Sequence, residues 1–188
     1  MRCRLWEFPT IFRNKFRVWG LEFKVELIKH QETRIRKVTN EELKIKLTEL
    51  IPAITFEEGT ESLTANVEPT DWLPFAKQLH DNPDLSFDFM TFLTCVDWKT
   101  HFTMVYHMTS LTHRHTLIVK SKLDRTNPVI ESVWKIWRTA DFHELEVYDL
   151  FGVNFQNHPG LRRLFLTDDW VGYPLRKDYE DPVNIIKL

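Results

Sequence analysis

The spacing of apolar positions becomes regular from residue 40 onward. Leu43, Ile45, Leu47 and Leu50 lie between Asn40, an N-cap residue type, and Pro52, a helix stop, and this pattern predicts a short helix. Ile54–Phe56 and Leu63–Val67 flank Gly59 and predict a hairpin. Thr70 can cap a second helix, with Trp72, Leu73, Ala76 and Leu79 on its apolar side and Asn82-Pro83 at its end. Three β-rich runs follow, Phe87–Val96, His101–Ser110 and His115–Leu123. This order predicts an α+β domain, a mixed β-sheet with two helices on one face.

Val129–Ala140 and Asp141–Phe151 read as a helical pair, with Asp141 and Glu144 spaced as in a capping box. From Gly152 to Leu188 the regular pattern stops, a length unusual for a loop inside a compact domain. The segment still holds Phe155, Leu161, Leu164, Phe165, Trp170, Tyr173, Leu175 and Tyr179, together with arginines. Those residue types anchor interfaces, so the segment is expected to be an extended C-terminal arm, lying over its own domain or on another subunit. The expected organisation is a basic N-terminal extension over 1–37, an α+β domain over 38–151 and a partner-binding arm over 152–188.

The extension has no settled reading. Residues 1–20 hold five basic residues, one acid and five aromatics, which suits a presequence, an extension with an upstream start or a basic amphipathic arm. Leu21, Phe23, Val25 and Leu27 alternate as in a strand. Charge is segregated along the chain: residues 1–50 carry 12 Lys+Arg against 7 acids, and residues 51–100 carry 2 against 9. A basic head and an acidic middle suit complementary docking faces, or simply the solvated faces of one domain.

Composition excludes several functions. A net charge of −2 argues against a dedicated nucleic-acid binder. Five glycines, no two close together, leave no dinucleotide fingerprint and no P-loop. Cys3 and Cys95 are 92 positions apart, too few and too distant for an iron–sulfur cluster or a structural zinc site. No stretch is apolar enough to span a membrane as a helix.

The densest chemistry is Glu144, Glu146 and Asp149, followed by His158-Pro159, Arg162-Arg163 and Arg176-Lys177-Asp178. Glu146 and Asp149, three apart on a helix, would share a face. One reading is a carboxylate pair in acid–base work with His158 as proton shuttle, which would make the chain a stand-alone enzyme. The better-supported reading is structural: the arginines tie the arm to the acidic helix. His113 and His115 would point to one side of a strand, but no third metal ligand is near them in sequence.

Three blocks carry a family likeness: Glu144–Val153, His158–Leu164 and Gly172–Tyr179. With Phe87–Asp97 and Val105–Ser110 upstream, the chain resembles the C-type subunit of bacterial NADH–quinone oxidoreductase, the 30-kDa subunit family of respiratory complex I, over roughly residues 40–180. One position departs: the family's Glu-Arg-Glu reads Glu144-Leu145-Glu146 here. Leu145 is spaced three from Phe142 and from Tyr148, which suits an apolar contact in place of an ion pair.

The resemblance implies a non-redox scaffold subunit in the hydrophilic arm of a proton-translocating complex that passes electrons from NADH through FMN and Fe–S centres to quinone. It implies no flavin, cluster or catalytic residue in this chain. The implied partners are the B-type and D-type subunits of the quinone site and the ferredoxin-like subunit, with membrane contact only through the complex. The implied location is the cytoplasmic side of a bacterial inner membrane, with the matrix side of a mitochondrial inner membrane as the alternative. Glu144, Glu146, Asp149, His158, Arg162, Arg163, Pro174, Arg176, Lys177 and Asp178 match the family's characteristic positions and carry over as structural and docking residues. A homologous subunit of a membrane-bound nickel–iron hydrogenase-type complex is the alternative assignment.

Overall fold

The computed structural model describes residues 16–18, 21–23, 39–57 and 62–181, the first two runs by backbone alone. The chain divides into two compact units, Met1–Arg34 and Ile35–Leu188. In the first, β1 (Phe16–Val18) and β2 (Leu21–Phe23) pair antiparallel, so the strand expected over 21–27 is described over its first three residues. The rest of the basic extension, Cys3 included, and the turn around Gly59 lie outside the described residues.

The second unit opens with α1 (Asn40–Leu50). Its cap is Thr39, one residue before the expected Asn40: Thr39 Oγ1 accepts from the Glu42 amide at 3.3 Å, and Glu42 accepts from the Thr39 amide. The reciprocal pair satisfies two amides that the first turn leaves open. Next come β3 (Thr55–Glu57) and β4 (Leu63–Asn66), antiparallel as the hairpin requires. In α2 (Trp72–Asp81) the N-cap is Asp71, not Thr70, and it makes no side-chain cap. The strands β5 (Phe89–Asp97), β6 (His101–Thr109) and β7 (Thr116–Asp124) fall where the alternation places them.

The five strands order as β3-β4-β7-β6-β5, with β4 parallel to β7 and every other pair antiparallel. Period-two alternation sends Phe102, Met104, Tyr106 and Met108 of β6 into the core, with Leu117, Val119 and Leu123 of β7. They meet Leu43 and Leu47 of α1 and Trp72, Phe75, Ala76 and Leu79 of α2 in a single cluster. In β5 the register shifts between Met90 and Phe92. That shift moves the inward set from Met90 to Leu93, Cys95 and Asp97, and so turns a carboxylate inward at the strand's end.

The expected helix over Val129–Ala140 is not there. Val129–Glu131 is a strand, β8, paired in parallel with β9 (Asn154–Gln156), and turns lead from it into α3 (Ala140–Phe151). The pair of helices is therefore one helix. β-branched Val129 and Ile130 after Pro128 suit a strand, but the strand's partner lies 25 residues downstream, beyond the reach of local periodicity. The Asp141–Glu144 capping box is also absent: Thr139 is the N-cap without a side-chain cap bond, and Glu144 turns inward.

Candidate functional site

Five of the ten residues singled out in the sequence, Asp149, Arg163, Arg176, Lys177 and Asp178, converge where the C-terminal segment, here called the strap, crosses the end of α3 and the end of β5. α3 ends at Gly152, whose left-handed φ of 74° lets its amide close onto Tyr148. This places Asp149, fully buried, beneath the strap. Three successive strap amides donate to Asp149 Oδ2, from Leu164 at 3.0 Å, Phe165 at 2.7 Å and Leu166 at 3.0 Å. Arg163 Nη1 donates to Oδ1 at 2.9 Å. Burial pushes this carboxyl upward, but the amides and the guanidinium outweigh it and hold the group below the usual carboxylate range.

Arg163 also donates to the strap's own carbonyls of Trp170 and Gly172, so one guanidinium binds the helix end and shapes the strap at once. Further on, Arg176 Nε donates to the Phe151 carbonyl at 2.6 Å, a cation at the negative end of the helix. Its guanidinium lies 4.6 Å from the Tyr173 ring centroid and 5.2 Å from that of Phe102.

The second anchor is Asp97. Its carboxylate accepts two bonds from Arg125 at 3.0 and 3.1 Å, one from the Lys99 amide at 2.7 Å and one from the strap amide of Lys177 at 2.9 Å. Arg125 reaches on to Asp178 at 2.5 Å. Burial works against the Asp97 charge, but Arg125 and the two amides hold the carboxyl well below its ordinary value, and Arg125 is raised above its own. Cys95, two residues earlier and buried, has its thiol pushed up to about 12 by burial and then by Asp97, which makes it a poor nucleophile.

Because both carboxyls sit below their ordinary value of 3.8, they contribute stability that is complete above that pH and is lost as pH falls through their folded-state values. We expect the melting temperature to drop steeply below pH 4, and Asp97→Asn to flatten that drop. An acid limb unchanged in the variant would refute the assignment.

Glu144 lies apart from these anchors. It is fully buried, accepts from the Ser132 hydroxyl at one oxygen and from the Val133 amide at 2.8 Å at the other, and so ties α3 to the end of β8. His158 has its ring buried 3.0 Å from Asp141 Oδ1 and 3.9 Å from Glu144 Oε2. Glu146 is half-exposed and pairs with His143 at 3.8 Å, so Glu146 and Asp149 do not share a working face. Arg162 is exposed, Pro174 half-buried, and Lys177 engages through its backbone while its ammonium lies over Trp98. Leu145 is buried outside the main core cluster, whereas Phe142 is 64% exposed, so no stripe from Phe142 to Tyr148 is buried.

Sequence reasoning missed Asp97, Arg125, Ser132 and Asp141 as partners in these networks. The signal for Asp97 was its place at the inward phase of a strand, hidden by the register shift. Arg125 sits in a loop and carries no pattern. His113 and His115 lie before β7 with stacked rings, and each binds a backbone carbonyl, of Pro83 and Leu85 respectively. Among the described residues, no group of three or more His, Cys, Asp or Glu side chains is arranged to hold a metal ion, and no helix is long and apolar enough to cross a membrane.

The fold is shared with a chain of a solved respiratory membrane complex. It is similar, with a TM-score of 0.65 and 26% identity over 74% of this chain and 85% of the other, to a chain in the structure of the membrane-bound sulfane sulfur reductase, an archaeal respiratory membrane complex. Residues 65–183 match the family model of the respiratory-chain NADH dehydrogenase 30-kDa subunit, and the chain belongs to that family. It is 42% identical over 120 residues to the C-type NADH-quinone oxidoreductase subunit of Citrifermentans bemidjiense, covering 62% of this chain and 73% of that one. It is 45% identical over 103 residues to the C/D-type NADH-quinone oxidoreductase subunit of Phocaeicola vulgatus, covering 54% of this chain and 20% of that longer protein.

Proposed function

We propose that the chain is the C-type scaffold subunit of the hydrophilic arm of a proton-translocating NADH–quinone oxidoreductase, with no redox or catalytic group of its own. The observation that carries this reading is the orientation of the strap. Arg163 and Arg176 turn inward onto the end of α3, where Asp149 is buried, and the exposed Asp178 pairs with Arg125, so the strap is fixed to its own domain. The apolar side chains of Phe165, Val171 and Leu175, at 66%, 85% and 51% exposure, are left facing outward with Arg162. An ordered strap presenting aromatic, aliphatic and arginine side chains outward is a partner-facing surface.

On this reading FMN and the Fe–S clusters reside in partner subunits, and NADH and quinone are substrates of the whole complex. The C/D-type relative, by its name, joins both types in one chain, which favours a D-type subunit as the neighbour of the strap, with the B-type and ferredoxin-like subunits nearby. The chain would then be peripheral, on the cytoplasmic side of a bacterial inner membrane. Membership of the 30-kDa subunit family favours this assignment over the hydrogenase-type alternative.

The test is purification of the tagged chain from its native locus in mild detergent. NADH–quinone reductase activity with flavin and iron–sulfur absorbance is expected to co-migrate with it on a native gel. Phe165→Glu is expected to break that co-migration while leaving the melting temperature of the free chain within about 2 °C, as for a surface substitution. Co-migrating hydrogenase activity, or a chain that always runs alone, would overturn the proposal.

A further inference from the structure

One buried titratable group takes no part in holding the strap. Glu144 is fully buried and faces groups from four directions. Ser132 and the Val133 amide meet it from the end of β8, Asp141 lies one turn earlier on α3, and His158 approaches from the turn after β9. From β6 comes Tyr106, whose buried phenol lies beside Trp72 and is raised by burial first and then by the Glu144 charge.

The His158 ring has a defined tautomer. Its Nδ1 accepts from the Gly160 amide at 3.2 Å, so the ring proton sits on Nε2. That proton faces two acids, Asp141 at 3.0 Å and Glu144 at 3.9 Å, in hydrogen-bond alignment with neither. Asp141 is 40% exposed at its side chain and shares its negative charge with water; Glu144 has none to share it with.

We infer that Glu144 and His158 form a proton-operated latch at the root of the strap, in which loss of a proton from the Glu144 carboxyl draws the His158 Nε2–H away from Asp141 and toward Glu144. The step is a protonation equilibrium with solvent and needs no other reactant. A buried ionised carboxylate needs donors. With Ser132 and Val133 already engaged, the ring N–H is the next within reach, and closing 3.9 Å to hydrogen-bond distance takes a movement of about 1 Å. Because Gly160 is bonded to the same ring, the movement passes into the turn that leads to Arg162 and Arg163.

The latch works near neutral pH. Burial, opposed by Ser132 and Val133 and reinforced by Asp141, pushes Glu144 up from 4.5 to about 7. A raised acid stabilises the fold most when protonated: its contribution is full below pH 4.5 and is lost as pH rises through about 7.

The experiment is NMR of the full chain from pH 5 to 9, following the Glu144 side-chain carboxyl and the Gly160 amide. The amide is expected to follow the carboxyl with one midpoint near neutrality. Asp141→Asn removes a neighbouring negative charge and is expected to lower that midpoint. Glu144→Gln is expected to remove the shared inflection from Gly160. Should Glu144→Gln fail to fold, Asp141→Asn at its half-exposed site still decides. A Glu144 carboxyl that ionises in the ordinary range would overturn the latch. So would a Gly160 signal that does not follow it, or a midpoint that ignores Asp141→Asn.

Discussion

Asp149→Ala is expected to release the strap. The substitution removes the acceptor of three successive amides and leaves the Arg163 guanidinium half-buried beside an empty site. Removing one partner of a buried ion pair costs roughly 3–5 kcal/mol, because the remaining charge stays desolvated. In a domain of this size that corresponds to a melting temperature lower by roughly 6–20 °C. Asp149→Asn keeps one acceptor oxygen but loses the charge, and should fall between wild type and alanine. Limited proteolysis gives an independent check: cleavage within residues 164–181 should appear in the alanine variant while the sheet stays protected. Equal stability and equal protease resistance in wild type and Asp149→Ala would show that the strap is held by something else.

Gly152→Ala is expected to be the other severe change. A left-handed backbone costs a residue with a Cβ roughly 1–2 kcal/mol on conformational grounds alone. Here the added carbon would also lie 2.5 Å from the Tyr173 ring and 2.8 Å from an Arg176 nitrogen. The neighbours it displaces are those that close the strap over the helix end, so the loss extends beyond the turn. Gly152→Asn separates the two effects, because asparagine tolerates the left-handed conformation but still brings a Cβ. If the asparagine variant melts with wild type and only alanine is destabilised, the crowding argument fails. If both lose stability by thermal unfolding, it stands.

These two sites mark the limit of what the sequence makes legible. The sheet strands were readable because β6 alternates without interruption, with Val105 the one aliphatic side chain on its outward face. The first two helices were readable from their apolar spacing and their stops, with caps misplaced by one residue. Val129–Glu131 was not readable, because a short strand paired in parallel depends on a partner that local pattern does not contain. Of the candidate residues, Asp149, Arg163 and Arg176 meet at the strap, but the directions of the others did not follow from the sequence. Glu144 and Glu146 are two apart and turn opposite ways, and the capping-box spacing of Glu144 concealed a buried acceptor for Ser132. Asp97 escaped notice because the register shift in β5 decides whether it faces water or Arg125. Directions of this kind are set by tertiary packing, which overrides local propensity.

The anchors of the strap are widely separated along the chain. The Lys177 amide reaches back 80 residues to Asp97, and the Arg176 side chain 25 residues to Phe151. Contacts of such long range form only after the intervening chain has been closed into loops, so they are formed late. Both the end of β5 and the end of α3 must already be in place before the strap finds its acceptors. The outward setting of Phe165, Val171 and Leu175 therefore requires that the strap has reached its anchors. On the proposed function, a partner that bound these side chains would distinguish completed subunits from unfinished ones.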